Sequence, residues 1–207
     1  MLLRFDDKPD NISPQTPSTP LHAALARIRL LAMDVDGVLT DGTLAYSSDG
    51  SETKRFHVHD GLGLTLLVSL NVQVAWISGR VNPAVERRAQ ELGVKLLLQG
   101  VRNKQSTLVQ LAQTAGVSIA DIAYIGDDWN DLGAFAACGF RIAVADARRE
   151  VRERADHITD APGGYGAVRE ICDAILDAHA MRERALEEYL NSLETGVSPT
   201  EPSLGRQ

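Results

Sequence analysis

Residues 28–42 read IRLLAMDVDGVLTDG, an apolar run that ends in a cluster of acidic residues and glycines. The run 28–35 is short and rich in large aliphatic side chains, which predicts a strand buried on both faces of a sheet. Asp34 and Asp36 come at its carboxyl end, beside Gly37, where the chain is expected to turn. That turn would let both carboxylates converge on one pocket at the edge of the sheet.

The rest of the chain alternates strand-like and helix-like segments. Further apolar runs predict strands at 72–77, 122–125 and 140–144. Patterns with the helical period lie at 62–70, 83–92, 104–115, 129–137 and 165–180. This alternation is typical of an α/β, Rossmann-like fold in which helices flank a central parallel sheet.

The segment 43–57 interrupts the alternation. It is typical of two short strands around the turn SSDG at 47–50, which predicts a β-hairpin flap inserted after the first strand. We expect the flap to overhang the carboxyl edge of the sheet, where open α/β folds bind ligands. We assign 1–27 to a flexible leader, 28–180 to the folded domain and 181–207 to a helix end with a flexible tail.

Composition narrows the class of protein. The 207 residues carry 21 Lys+Arg against 28 Asp+Glu, a formal charge of -7, which argues against nucleic-acid binding. No apolar run approaches the roughly 18–20 residues that span a bilayer, and residues 1–20 do not resemble a secretory signal. Cys138 and Cys172 are too few for a disulfide framework. We therefore expect a cytoplasmic protein that binds neither nucleic acid nor membranes.

Two further strand ends carry groups that suit a phosphoryl site. Residues 126–131 read GDDWND, and oxygen ligands of this kind suit Mg²⁺. Ser78 follows the strand 72–77, where a hydroxyl and backbone amides can hold phosphate oxygens. Lys104, at the start of a predicted helix, would add a positive charge. Each motif also fits an ordinary turn or helix cap, but two acid clusters on two strand ends favour a shared cation.

Charge balance supports the interpretation of these groups as one site. A phosphate dianion beside three carboxylates would be repelled by about 4 kcal/mol per pair at ~4 Å and an effective dielectric near 20. Mg²⁺ and Lys104 together would supply three positive charges against that repulsion. One carboxylate would then be free to attack phosphorus while another handles the proton of the leaving group.

With these motifs in order, the chain resembles the haloacid dehalogenase superfamily of phosphotransferases. It is most similar to the 3-deoxy-D-manno-octulosonate 8-phosphate (KDO 8-phosphate) phosphatase family, from about residue 29 to 178. The segments that carry the likeness are MDVDGVLTDG at 33–42, FHVHDGLG at 56–63, ISGR at 77–80, AYIGDD at 123–128 and GGYGAVRE at 163–170. Ser78 stands where many members have Thr, and Thr65 where some have a basic residue, a departure that bears on sugar recognition.

The resemblance implies a Mg²⁺-dependent phosphatase that releases KDO for lipopolysaccharide synthesis. It implies that Asp34 is nucleophile and metal ligand, that Asp36 is general acid/base and ligand through its carbonyl, and that Asp127 is the third ligand. Ser78 and Lys104 would hold the phosphoryl group. The residues implied to meet the sugar acid or border the site are His57, Val58, His59, Asp60, Gly61, Gly79, Arg80, Arg88 and Asn130.

The resemblance also implies a homotetramer in which the hairpin is the only cap and a neighbouring subunit completes the pocket. Three alternatives stay open: a phosphatase of another sugar acid such as a nonulosonate 9-phosphate, a non-catalytic interaction module, and a phospho-accepting receiver domain. His57 and His59, spaced i, i+2, would suggest zinc, but no cysteine or third histidine is nearby in the sequence.

Overall fold

The computed structural model describes residues 19–196, in which a six-stranded parallel sheet stands beside a two-stranded antiparallel hairpin. The strands are β1 (Leu30–Met33), β2 (Ala45–Tyr46), β3 (Glu52–Thr53), β4 (Gln73–Ile77), β5 (Leu96–Leu98), β6 (Ile122–Gly126), β7 (Phe140–Ala143) and β8 (His157–Ile158). The helices are α1 (Pro20–Leu25), α2 (Val58–Ser69), α3 (Pro83–Glu91), α4 (Lys104–Ala115), α5 (Leu132–Phe135), α6 (Arg149–Arg152), α7 (Ala167–Ala178) and α8 (Arg182–Thr195). The predicted α/β, Rossmann-like fold with a small hairpin is confirmed.

Side-chain caps explain where α3 and α4 begin. The Asn82 side chain accepts a hydrogen bond from Ala84 N–H at 2.8 Å, and Pro83 occupies the first turn of α3. Asn103 caps α4 in the same way through Ser106 N–H at 3.0 Å. These caps fix the starts of the two helices that follow β4 and β5.

Strand order places the site. The order β5-β4-β1-β6-β7-β8 puts β1 between β4 and β6, and Met33 pairs in register with Trp76 on one side and Ile125 on the other. The residues that follow these strands, Asp34 among them, therefore emerge at one carboxyl edge. From β1 the chain adds β4 and β5 on one side of the sheet, and then β6, β7 and β8 on the other side. Open α/β sheets bind ligands at such a reversal of strand order.

The structure corrects several predicted bounds. The strands β5 and β8 were not predicted, because they are three- and two-residue edge strands without a fully buried run. The helix predicted over 129–137 is a 3₁₀ turn (Trp129–Asp131) followed by the short α5. The last helix does not continue past 180 as expected, because Ala180 adopts a φ of 53° and α8 starts as a separate helix.

The predicted leader also needs correction within the described residues. Helix α1 lies inside the segment 1–27, and its Leu25 is fully buried in the core. Burial of an apolar side chain of this size stabilises the fold by about 2 kcal/mol, which offsets part of the cost of ordering a short helix. Residues 1–18 and 197–207 lie outside the described residues, so flexibility at both ends stays a prediction.

No helix in 19–196 is long and apolar enough to cross a membrane.

The GGYG loop packs directly on the turn that follows β1. Gly164 N–H donates to Val38 O at 2.9 Å, and a Cβ on Gly163 would lie 1.7 Å from Gly37 O. Only a residue without a side chain permits this approach of two backbones. The loop therefore packs against the backbone of the acidic turn.

We predict that Gly163→Ala lowers the free energy of unfolding by roughly 3 kcal/mol, because its methyl group would overlap the Gly37 carbonyl and force the backbone to move. Gly133→Ala is the matched control, since a Cβ there would meet Gln105 Cβ at an ordinary 3.5 Å. Chemical denaturation of both variants measures the difference. Equal stability of the two variants would contradict the proposed packing.

Candidate active site

Side chains from β1, α4 and the loop after β6 meet at the carboxyl edge. Lys104 places its Nζ 2.7 Å from Asp34 Oδ2 and 2.7 Å from Asp131 Oδ1. The three side chains are at most 4% exposed. The ammonium thus lies between two carboxylates where water screens their charges poorly.

Asp131 uses both of its oxygens within the protein. Oδ1 accepts hydrogen bonds from Lys104 and from the Tyr124 hydroxyl at 2.8 Å. Oδ2 accepts from the backbone N–H groups of Asp127 at 2.9 Å and Asp128 at 3.3 Å. Burial and the Asp131 charge hold the pKa of Tyr124 well above its usual value, so that the hydroxyl stays a neutral donor. Asp131 therefore fixes the loop and has little capacity left for an external ligand.

Asp127 has the opposite character. Its Oδ1 is buried without a hydrogen-bond partner in the described part of the chain. Burial and the charges of Asp131 and Asp34 raise the pKa of Asp127 to about 8. The turn after β1 comes so close that a Cβ on Gly37 would lie 2.2 Å from Asp127 Oδ2. A buried carboxylate oxygen without a donor is costly and is typical of a position that awaits a cation.

The charges of the cluster do not balance. Burial and Asp131 raise the pKa of Asp34 to about 6, although Lys104 acts in the opposite direction. Burial also acts to lower the pKa of Lys104, but Asp131 and Asp34 outweigh it and raise that pKa. Ligand atoms of Asp34, Asp127 and Asp131 lie within 4.8 Å of one another. If all three carboxylates were ionised around one ammonium, two negative charges would remain, and a divalent cation with a preference for oxygen would neutralise them.

A pocket of about 510 Å³ opens above this cluster. Its walls come from the turn after β1, the turn after β4 and the loop after β6, and consist of Asp34, Asp36, Gly42, Gly79, Arg80, Asp127, Asp128, Trp129 and Asn130. Asn130 Nδ2 donates to Asp34 Oδ2 at 3.4 Å. Ser78 is 1% exposed, and its Oγ accepts a hydrogen bond from Arg80 N–H at 3.1 Å. Predicted residues from three separate motifs thus come together around this pocket.

The hairpin is tied to the pocket by charged groups. Lys54, directly after β3, forms ion pairs with Asp36 and, at 3.1 Å, with Glu52 Oε1. Arg80 Nη2 lies 2.6 Å from Glu52 Oε2 and 3.4 Å from the Tyr46 hydroxyl. The Lys54 side chain is 2% exposed, so its charge depends on these carboxylates for compensation.

Other residues implied to meet the substrate lie elsewhere. His57, Asp60, Gly61 and Arg88 line a separate, narrow cavity. Asp60 is 1% exposed, and its Oδ1 accepts a hydrogen bond from Arg169 N–H at 2.7 Å. The expected loop is the first turn of α2, which begins one residue after His57 and directs Asp60 inward. Within one chain, these four residues do not line the pocket above Asp34.

Val58 and His59 face solvent, and Val58 is 75% exposed. The rings of His57 and His59 meet edge to face, with their centroids 5.0 Å apart. Within residues 19–196, the side chains that come together at metal-ligand spacing are the three aspartates of the cluster, and neither histidine is among them. The histidine pair therefore gives no support to a zinc site.

Motif reasoning left out Lys54 and Asp131 as site residues. Asp131 is the last acid of GDDWND, so its position was visible in the sequence, but its pairing with Lys104 depends on how α4 packs. Lys54 lies in the hairpin, and nothing in its immediate sequence distinguishes it from a solvated lysine. Its contact with Asp36 forms only when the flap folds back over the sheet edge.

The fold and the arrangement of Asp34, Lys104 and Asp127 define a haloacid dehalogenase-like hydrolase. Residues 96–171 match the family model for haloacid dehalogenase-like hydrolases. The 3-deoxy-D-manno-octulosonate 8-phosphate phosphatase KdsC of Haemophilus influenzae is 48% identical over 158 residues, covering 76% of this chain and 88% of that protein.

Solved structures agree. The phosphatase of that name from Moraxella catarrhalis, in complex with magnesium, phosphate and KDO, is 42% identical with a TM-score of 0.79, covering 82% of this chain and 97% of that chain. The cobalt-bound enzyme from Haemophilus influenzae is 47% identical with a TM-score of 0.74, covering 76% and 92%. The chain belongs to the 3-deoxy-D-manno-octulosonate 8-phosphate phosphatase family.

We predict that Asp127→Asn stabilises the protein in EDTA at high pH. The folded-state pKa is raised from 3.8 to about 8, so the contribution of Asp127 to stability is full below about pH 4 and is lost as pH rises through 8. The neutral amide avoids that loss. We expect the variant to melt roughly 5 °C above wild type at pH 9, with the difference shrinking towards pH 5.

Thermal denaturation in EDTA at several pH values measures the effect. Asp128→Asn is the matched control, because Asp128 is exposed and an amide can still cap Trp129 N–H. A melting temperature of Asp127→Asn at or below that of wild type at pH 9 would contradict the assignment of Asp127 as the strained, unpaired acid.

Proposed function

We propose that the protein hydrolyses KDO 8-phosphate to KDO and phosphate, through a phosphoryl group carried transiently on Asp34, in lipopolysaccharide synthesis. The observation that carries the proposal is the buried Asp34, paired with Lys104 and adjacent to an unpartnered oxygen of Asp127. A non-catalytic module would have no need to keep a nucleophile, a counter-ion and an open ligand position together. Relatives of this family carry the same reaction in their names.

Mg²⁺ fits the residues that are present. Asp34 and Asp127 would hold it with their side chains, and Asp36 with its backbone carbonyl. Asp131 is excluded as a ligand because four donors already occupy its oxygens. When bound, the cation supplies positive charge against the carboxylates and the phosphoryl oxygens, which lets an anionic substrate approach.

The side chains then divide the reaction between them. A carboxylate oxygen of Asp34 attacks phosphorus, forming an O–P bond while the bond from phosphorus to the sugar oxygen breaks. Asp36 gives its proton to the departing sugar oxygen, then accepts a proton from water as that water attacks phosphorus and frees Asp34. Lys104 and Ser78 hold phosphoryl oxygens throughout, and Arg80 offers its guanidinium to the carboxylate of the sugar acid.

Two features of the single chain support an oligomer. The hairpin strands have two residues each, too few to enclose a sugar phosphate. Large apolar side chains are exposed on the hairpin, at the start of α2, after β4 and in the GGYG loop, namely Tyr46 (63%), Val58 (75%), Val81 (72%) and Tyr165 (58%). Exposed apolar groups of this kind support an interface, here a homotetramer in which a neighbour completes the pocket.

The free thiols Cys138 and Cys172 support a reducing, cytoplasmic location.

We predict a strong preference for KDO 8-phosphate in an assay of phosphate release. The panel contains KDO 8-phosphate, a nonulosonate 9-phosphate and simple hexose phosphates, each with Mg²⁺ and with EDTA. EDTA should abolish turnover because Lys104 alone does not offset the repulsion between the carboxylates and an anionic phosphate. Broad activity across the panel would overturn the assigned substrate, and no turnover on any compound would overturn the enzyme.

Asp34→Asn is the matched variant for this assay. It keeps the shape of the side chain but removes the nucleophile, so turnover should fall by roughly three orders of magnitude or more. Circular dichroism should show an intact fold. Normal turnover by this variant would contradict the role of Asp34, and release limited to one equivalent per chain in wild type would favour a receiver domain.

We predict a light-scattering mass about four times the chain mass of 22.4 kDa. Val58→Asp combined with Val81→Asp should shift the mass downwards, because a charge would be buried in the interface. Leu190→Asp on α8, where Leu190 is 48% exposed, is the control that should leave the mass unchanged. A fully active monomer at low concentration would contradict the shared pocket.

A further inference from the structure

Trp129 is an exposed aromatic side chain on the wall of a polar pocket. It is 64% exposed, whereas the other tryptophan of the chain, Trp76, is fully buried. Among the described residues that line this pocket, Trp129 is the one aromatic, and its neighbours there are aspartates, glycines, an arginine and an asparagine. The chemistry of phosphoryl transfer gives no use for an indole at this position.

Both ends of the Trp129 side chain are held in place. Its backbone lies in the 3₁₀ turn that Asp131 fixes, and its N–H donates to Asp128 Oδ1 at 2.7 Å. Its ring Nε1 donates to Glu150 Oε2 at 3.2 Å, across to α6. A ring held by these hydrogen bonds has less rotational freedom to lose when a ligand arrives, so a contact with its face costs less further entropy.

We propose that Trp129 is a specificity-determining residue whose indole packs against the C–H surface of the sugar acid, with Glu150 as the positioning residue that orients the ring. This inference rests on the proposed function. The hydroxyl, carboxylate and phosphate groups of such a substrate have polar partners in the pocket, but the C–H surface of its ring needs an apolar one. Trp129 supplies that surface beside Asn130 and Asp34.

The first test is kinetic. Trp129→Ala should raise the KM for KDO 8-phosphate by about 10-fold while changing kcat by less than about 3-fold, because the contact is made equally in the bound substrate and the transition state. The ratio of this KM to the KM for acetyl phosphate, which has no sugar ring, should rise by a similar factor. Trp129→Tyr should restore most of the loss. Leu186→Ala, on the exposed surface of α8, is the control.

The second test uses fluorescence. Trp76 is shielded, so acrylamide quenching of the full-length protein reports on Trp129. KDO added with Mg²⁺ should lower the quenching constant by about half in wild type and leave the residual quenching of Trp129→Phe unchanged. Glu150→Ala should speed the decay of Trp129 anisotropy and raise the KM by about 3-fold, whereas Glu150→Gln, which keeps an acceptor, should restore both.

The outcomes separate the two proposals. Wild-type protein that releases no phosphate from KDO 8-phosphate overturns the proposed function and this contact with it. Wild-type protein that is active, combined with an unchanged KM in Trp129→Ala or with quenching that KDO does not alter, overturns the contact alone. A fall in kcat without a rise in KM would also overturn it, since that result assigns Trp129 to the fold of the loop.

Discussion

The ion pairs of Lys104 with Asp34 and Asp131 are the contacts on which the rest of the site depends. A buried ammonium is stable only when carboxylates compensate it, so α4 must place Lys104 where β1 and the loop after β6 deliver their acids. The same geometry brings Asp127 into a cluster with more negative than positive charge. The fold thus holds an electrostatic imbalance in place, and we propose that this imbalance favours a cation, whose charge then admits an anionic phosphate.

Backbone contact keeps this cluster rigid. Gly37 passes against the Asp127 carboxylate, and Gly163 packs on the Gly37 carbonyl from below. Because neither position has room for a side chain, the acidic turn is confined by the Asp127 carboxylate on one side and by the backbone of Gly163 on the other. Rigid placement lets a nucleophile meet phosphorus without a costly search for geometry, which is the main way a protein accelerates phosphoryl transfer.

The reaction and the substrate are encoded in different places. In the proposed mechanism, Asp34, Lys104 and Asp127 carry out the phosphoryl chemistry and would serve many phosphate esters equally well. We propose that the groups that distinguish one sugar acid from another are at the rim: Arg80, bound to the flap, and Trp129, held by α6. Family membership narrows the range of expected substrates, while the rim residues of this chain offer a guanidinium and an indole to the substrate.

The sequence alone determined the alternation of strands and helices, the hairpin and the catalytic motifs, because these depend on local periodicity and on short spacings around Asp34, Ser78 and Asp127. It did not determine the edge strands or the orientation of α2, because those depend on packing between segments far apart in the chain. Only the tertiary structure turned Asp60 into the interior and separated it from the pocket. It likewise decided that Asp131 binds Lys104 while one oxygen of Asp127 has no donor among residues 19–196, since identical side chains acquire different roles only from the donors that folding brings to them.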